Sequence, residues 1–335
     1  MLRAVPIALL LSGLPGLAGA ADSCIPLKAR RGVCPWIVYT GESTIDLLRE
    51  QADIIGMVSV CGPANREFVS RCHELGIQVY LLVGGHDGSV FDTPERRREV
   101  IQSYLRRCED GGFDGIDLDY ESVDNQHKEG YSAFLRETAA ALHGAGRRVS
   151  MCVSYIMSTY RTVRETGPGM GGIDWYDPQV VGETCDLVRV MCYDMYSLSG
   201  KGIGPVSTYP WAREAMAYWS RFVPRDRLIM GLPAYSRDFA LRLDGQVQSP
   251  EAPQPQVPEG TEVRRLWLPW EQISTYQYED MEGVLHLFFA TDETSTRAQL
   301  QTADELDLGG IGFWHFGAVT PEMWAAVRQW LAETP

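Results

Sequence analysis

The sequence predicts a (β/α)8 barrel, the TIM-barrel architecture, with a modest insertion after strand seven. Three observations predict it. Strand-like and helical runs alternate eight times along the chain. The strand-like runs are rich in Val, Ile and Leu, as in a parallel sheet buried on both faces. Eight such repeats in 335 residues suit a closed barrel better than an open doubly wound sheet. No Gly-x-Gly-x-x-Gly turn follows the first strand, so a dinucleotide-binding sheet lacks its motif.

The elements follow in order. Met1–Ala20 reads as a secretory signal, with Arg3 as its positive end, Val5–Leu11 as the apolar run and Ala18-Gly19-Ala20 as the cleavage site. The remainder, 21–335, is expected to form one domain. Trp36–Thr40 is a short apolar strand and Glu42–Ala52 a helix. Ile54–Val60 is a strand, and Pro63–Leu75 a helix opened by its proline. Gln78–Val83 ends in Gly84-Gly85, and Pro94–Glu109 is a charged helix. Phe113–Glu121 is the fourth strand, Tyr131–Gly144 a helix, and Arg148–Tyr155 the fifth strand. Thr166–Asp174 is a Gly-rich loop, with a short helix near Pro178–Gly182. Asp186–Asp194 is strand six, Trp211–Phe222 a helix, and Arg227–Tyr235 strand seven. An irregular excursion, Arg237–Gly283, includes the Pro/Gln run Glu251–Gly260. Val284–Ala290 is strand-like and Ser295–Leu306 helical. Gly309–Phe316 is strand eight and Pro321–Ala332 the closing helix.

Composition narrows the partners. A net charge of −14 argues against nucleic acid and anionic membranes, which need basic surface. No run after the signal is long enough to span a bilayer. The chain is expected to be secreted or periplasmic, cut after about Ala20, and monomeric. Eight cysteines in an exported chain permit disulfides. Cys24–Cys34 and Cys61–Cys72 are the plausible local pairs. No CxxC occurs and the histidines are scattered, so neither a metal nor a cofactor is expected.

The fourth strand carries the chemistry. In Phe113-Asp114-Gly115-Ile116-Asp117-Leu118-Asp119-Tyr120-Glu121 acids alternate with apolar residues, so Asp117, Asp119 and Glu121 share one face. Carboxylates so close must share protons, bind a cation or work in a cleft that raises their pKa. Asp114 has the opposite parity and reads as structural. In a barrel the reactive groups sit at the carboxyl ends of the strands. Those ends carry Tyr39, Gly84-Gly85, Asp119 with Glu121, Tyr155, Met191 to Asp194, Tyr235 with Arg237, and Trp314. Acids beside aromatic faces suit a carbohydrate, whose C–H surfaces stack on rings while its hydroxyls bond carboxylates. Trp267 and Trp270 in the excursion read as a small satellite core rather than sugar platforms.

These residues carry a resemblance. Asp114-x-x-Asp117-x-Asp119-x-Glu121 resembles the DxxDxDxE signature of family 18 glycoside hydrolases, the chitinase and chitobiase family. Met191-x-Tyr193-Asp194, Gly231-Leu232-Pro233-Ala234-Tyr235-Ser236-Arg237 and Gly310–Trp314 resemble further family motifs, in the family's order. The resemblance implies hydrolysis of β-1,4-linked N-acetylglucosamine glycans, chitin or chito-oligosaccharides, by a retaining, substrate-assisted route. It assigns Glu121 as general acid/base and Asp119 as holder of the substrate's acetamido N–H. Asp117 would share a proton with Asp119. Tyr193 would donate to the acetamido oxygen, and Trp314 would floor the subsite. Asp194, Met191, Tyr235, Arg237, Tyr155 and Tyr39 are further substrate contacts. Two departures stand out. The family's SxGG becomes Leu82-Val83-Gly84-Gly85, removing a serine that helps hold the inner aspartates, and the excursion is short for a full chitin-insertion domain. Peptidoglycan or the chitobiose core of N-glycans are alternative substrates. A non-hydrolytic lectin is a third reading, against which the presence of Glu121 with Asp119 argues.

Overall fold

The computed structural model describes residues 31–85, 87–121, 123–155, 175–196, 202–242, 247–248, 251–252, 255 and 257–333. The signal segment, Cys24, the Thr166–Asp174 loop and part of the Glu251–Gly260 run lie outside the described residues.

Strands β1 (Gly32–Val33), β2 (Trp36–Ile37), β3 (Met57–Val60), β4 (Gln78–Val83), β5 (Gly115–Leu118), β6 (Arg148–Ser154), β7 (Leu187–Met191) and β8 (Leu228–Pro233) come first in the chain. The short strands β9 (Ser236–Leu241), β10 (Val247–Gln248), β11 (Glu251–Ala252), β12 (Arg264–Leu268), β13 (Ile273–Glu279) and β14 (Leu285–Phe289) follow, then β15 (Gly310–Trp314). A parallel sheet runs β1-β15-β8-β7-β6-β5-β4-β3-β2. β1 and β2 are two pieces of one barrel strand, because Pro35 between them has no N–H to offer a ladder. One piece pairs with β15 and the other with β3, and that shared strand closes the sheet into a barrel.

Helices α1 (Glu42–Glu50), α2 (Arg66–Glu74), α3 (Pro94–Gly111), α4 (Lys128–Gly144), α5 (Pro178–Thr184), α6 (Tyr209–Trp219), α7 (Glu293–Glu305) and α8 (Pro321–Glu333) surround it. Their starts follow capping chemistry. α2 begins at Arg66 rather than at Pro63, because the Asn65 side chain accepts from the Phe68 N–H at 2.9 Å. α7 opens with a capping box between Asp292 and Ser295. Asp114 is structural, as its parity predicts: Oδ2 accepts from the Val79 N–H at 2.8 Å and from His73 at 2.8 Å. Asp186 repeats this device one strand pair on, with the Val149 N–H and His143 at 2.8 Å each.

The excursion is not irregular. β9 to β14 form a second, antiparallel sheet in which β14 pairs with β9 and β13. The strand-like run Val284–Ala290 therefore belongs to the insertion, not to the barrel. Trp267 and Trp270 form no satellite core; they are 44% and 77% exposed.

The disulfide expectation also changes. Cys34, Cys61, Cys72, Cys108, Cys152, Cys185 and Cys192 are all free thiols. Cys61 lies just past the end of β3 beside the cleft, whereas Cys72 lies in α2 against the outer core. No helix among the described residues is long and apolar enough to cross a membrane.

Inside the barrel the side chains form layers. A lower apolar layer holds Cys34, Met57, Tyr80, Leu187 and Ile229. An upper one, at the carboxyl ends, holds Trp36, Cys152, Tyr193, Val206 and Tyr235, with Cys61, Leu82, Met191 and Trp314 packed on it. By the two-residue period, Ser59, Asp117, Ser150 and Arg189 fall between these layers, and all four are fully buried. A polar slab in a barrel core must satisfy itself.

Candidate active site

The fourth barrel strand carries its acids outward in steps. Asp117 is wholly buried, Asp119 is partly buried just beyond β5, and Glu121 stands exposed at the mouth. The Asp119 N–H bonds to the Val83 carbonyl at 2.8 Å, so the pairing with β4 continues past Leu118. Gly84 permits this approach: a Cβ there would lie 2.0 Å from the Asp119 carbonyl oxygen.

Asp117 does not lack inner partners. Leu82, which stands where the family has serine, is its register neighbour on β4. The compensation comes from other strands. Ser59 Oγ donates to Asp117 Oδ2 at 2.6 Å, and Ser150 Oγ, on the register neighbour in β6, donates to Oδ1. Arg189 Nη1 donates to Oδ2 at 2.6 Å, and the Cys152 thiol lies 3.5 Å from the same oxygen. Instead of meeting only another acid, Asp117 meets a guanidinium, so the expected Asp117–Asp119 proton pair has an ion pair beneath it.

Asp119 differs sharply. Its Oδ1 is buried and accepts no hydrogen bond from any described residue. Burial, then the charges of Glu121 and Asp117, push its carboxyl up to about 7, with Arg189 and then a hydrogen bond from the Cys152 thiol pulling the other way. Glu121 is also raised, first by burial of its carboxyl and then by the charge of Asp194. Two neighbouring carboxylates thus both hold protons more readily than usual, which is what acid/base work near neutral pH needs.

The remaining strand ends close around them. Tyr193 is 7% exposed and packs edge-on to Trp36 at 6.1 Å and stacked with Trp314 at 6.3 Å. Trp36 and Trp314 meet at 6.2 Å. Burial holds the Tyr193 hydroxyl well above its ordinary pKa, so it stays a donor. Asp194 sits in the left-handed region at φ 59°, which Asp tolerates better than most residues. That turn lets its Oδ1 accept from the Tyr235 hydroxyl at 2.6 Å and from Arg237 Nη2 at 2.5 Å. Met191 packs on the aromatic cluster.

Asp117, Asp119, Glu121, Met191, Tyr193, Asp194, Tyr235, Arg237 and Trp314 therefore belong to one end of the barrel. Two predicted contacts stand apart from the inner cluster. Tyr155 packs on Trp211 at 4.2 Å against the outer core, and Tyr39, 72% exposed, meets His315 at the rim with ring centroids 6.2 Å apart. Sequence reasoning missed Arg189, Ser59, Ser150, Cys152 and Trp36. A signal existed for Arg189: a lone arginine inside Leu187–Met191, an otherwise apolar strand, must find a buried counter-charge. Among the described residues no cluster of His, Cys, Asp and Glu is arranged to hold a metal.

A closed parallel barrel with stepped carboxylates and stacked aromatics at the carboxyl ends of its strands has the build of a carbohydrate-cleaving enzyme. The chain belongs to the glycosyl hydrolases family 18, whose model matches residues 57–318, and is a glycosidase. It is 25% identical over 310 residues to a cortical fragment-lytic enzyme of Bacillus subtilis, covering 89% of this chain and 68% of that protein. It is 23% identical over 350 residues to the di-N-acetylchitobiase of Rattus norvegicus, covering 92% and 91%. In fold it is similar to a chitinase from Chromobacterium violaceum, with TM-score 0.76 at 20% identity over 90% of this chain and 99% of that one. The spore cortex-lytic enzyme SleL of Bacillus megaterium gives TM-score 0.74 at 17% identity over 90% and 74%.

Proposed function

We propose that the protein hydrolyses β-linked N-acetylglucosamine glycans, chitin-type oligosaccharides first among them, with retention at the anomeric carbon and help from the substrate's own acetamido group. The observation that carries this reading is the buried, unpartnered Asp119 Oδ1 beside Glu121. A buried carboxylate oxygen with no donor is costly unless a ligand supplies one. The N–H of a 2-acetamido sugar is a donor of the right kind. Glu121 and Asp119 are two residues apart on one strand and poorly placed to flank a sugar ring, as two-carboxylate glycosidases require.

The steps follow from these roles. Glu121 protonates the leaving glycosidic oxygen as the acetamido carbonyl oxygen attacks the anomeric carbon. The C–O bond to the leaving sugar breaks and an oxazolinium ring closes. Asp119 accepts the acetamido N–H and offsets the positive charge that develops there. The Tyr193 hydroxyl donates to the acetamido oxygen, and Trp314 supports the sugar face. Glu121, now ionised, takes a proton from water, which opens the ring and restores the original configuration.

The peptidoglycan reading keeps a specific support, the 25% identity to a cortical fragment-lytic enzyme. A panel of chito-oligosaccharides, peptidoglycan fragments and high-mannose glycopeptides, with products sized by mass spectrometry, separates them. Cleavage of the first is expected to be fastest. Faster release from muramic-acid-containing fragments would move the substrate assignment to the cell wall, and binding without cleavage of any member would leave a lectin.

A further inference from the structure

Arg189 lies two residues before Met191 and is 0% exposed. Besides its 2.6 Å contact to Asp117, its Nη2 donates to the Cys34 carbonyl, and its guanidinium lies 3.7 Å from the Trp36 ring centroid. Trp36 is the ring on which both Tyr193 and Trp314 rest. One cation therefore touches both halves of the site, the inner carboxylate and the aromatic floor. An ion pair this deep adds little net stability compared with apolar packing, because desolvating two charges cancels most of their attraction. Its presence two residues below the reacting groups asks for another purpose.

We propose that Arg189 is a positioning residue for catalysis: by pairing with Asp117 it holds that carboxylate inward, leaving Asp119 alone to receive the substrate's acetamido group, while the same guanidinium fixes Trp36 beneath Tyr193 and Trp314. This rests on the roles proposed above for Asp119 and Glu121.

The surroundings of Asp119 make the consequence specific. Asp117 and Glu121 face it from its own strand, Arg189 from β7, Cys152 from β6 and Tyr193 from beyond β7. Cys61, past the end of β3, also faces Asp119, and Cys34, between β1 and β2, faces Arg189 and Asp117. Burial pushes Cys34 and Cys61 up to about 12 and holds Cys152 and Tyr193 well above their ordinary values, so these four stay neutral. Arg189 is thus the cation that opposes the carboxylates at Asp119. Without it, the charge of Asp117 acts on Asp119 with no cation to oppose it, and Asp119 titrates higher still.

The test uses the full chain with a fluorogenic chitobioside, measuring kcat, KM and their pH dependence for Arg189→Met, Arg189→Lys and the double variant Arg189→Met/Asp117→Asn. Arg189→Met is expected to lose about 100-fold in kcat with KM within about threefold, since misplacement rather than binding is at fault. Its carboxyl-dependent limb is expected to move about one pH unit toward alkaline. Arg189→Lys keeps the charge but not the fork or the ring contact, so kcat falls while that limb stays in place. The double variant removes the unpaired buried charge and so folds even where the single does not, yet kcat stays at least about 10-fold down because Trp36 has lost its support. A folded Arg189→Met with unchanged kcat and pH profile would overturn the proposal, as would a double variant with full kcat. If the unaltered protein cleaves none of the glycans tested, the function reading fails instead. Carboxyl 13C titration of Asp119 in the same variants then reads the predicted alkaline move without turnover, and an unmoved Asp119 contradicts the role of Arg189.

Discussion

Glu121→Gln is expected to lower kcat by about 10^3-fold or more while the protein stays folded. Two features set that expectation. Glu121 is the outermost acid of the fourth strand, exposed at the mouth and outside the packed layers, so an isosteric amide there removes no core contact. Its carboxyl is nevertheless raised by burial and by Asp194, which keeps a proton available for the leaving oxygen. An amide has no proton to give, and positioned proton transfer is worth about 10^2–10^4-fold. Steady-state rates on a chito-oligosaccharide, paired with thermal melting, check both halves. A melting temperature within about 2 °C of the unaltered protein is expected, as for a surface change of this kind. Retained hydrolysis in a folded Glu121→Gln would remove Glu121 from the mechanism.

Asp119→Asn is expected to act in opposite directions on activity and stability. The folded-state pKa of Asp119 is raised from 3.8 to about 7. The fold therefore binds this proton more tightly than the unfolded chain does. Its contribution to stability is fully present below about 3.8 and is lost as pH rises through about 7. At pH 8 the ionised Asp119 is a burden on the fold, and an uncharged asparagine relieves it by at least about 1 kcal/mol. The same change removes the charge that offsets the developing oxazolinium, so kcat falls by about 10^2–10^3-fold. Melting curves from pH 5 to 8, with rates on one substrate, test the pair of effects. The unaltered protein should lose stability over this range more steeply than the variant. Its activity should peak on the acid side of neutrality, because Glu121 must keep its proton while Asp119 must have lost its own.

Much of this site was legible because barrels place function by a local rule. Alternation put Asp117, Asp119 and Glu121 on one face, and the strand ends brought Tyr193, Asp194, Tyr235 and Trp314 to the same mouth. Parity also separated Asp114, which ties the base of β4. The illegible parts depend on register between strands distant in sequence. Nothing local says that Ser150 lies beside Asp117, or that Arg189 reaches it from β7 across β6. The absent serine at Leu82 was visible, but not that three other strands supply its replacement. The insertion was misread for a similar reason. Its strands are short and joined by Pro- and Gly-rich segments, and they pair antiparallel across as many as 52 positions of sequence, Arg237 with Phe289. The expectation of export favoured disulfides, yet the barrel sets the described cysteines into separate clusters, where they pack as small apolar groups.

The most direct measurement of the central claim is the configuration of the first product. NMR of a chito-oligosaccharide digest, recorded before the anomers equilibrate, is predicted to show the new reducing end appearing as the β-anomer, because attack by the substrate's acetamido oxygen followed by water inverts the anomeric carbon twice. First appearance of the α-anomer would mean a single displacement by water and would contradict the account.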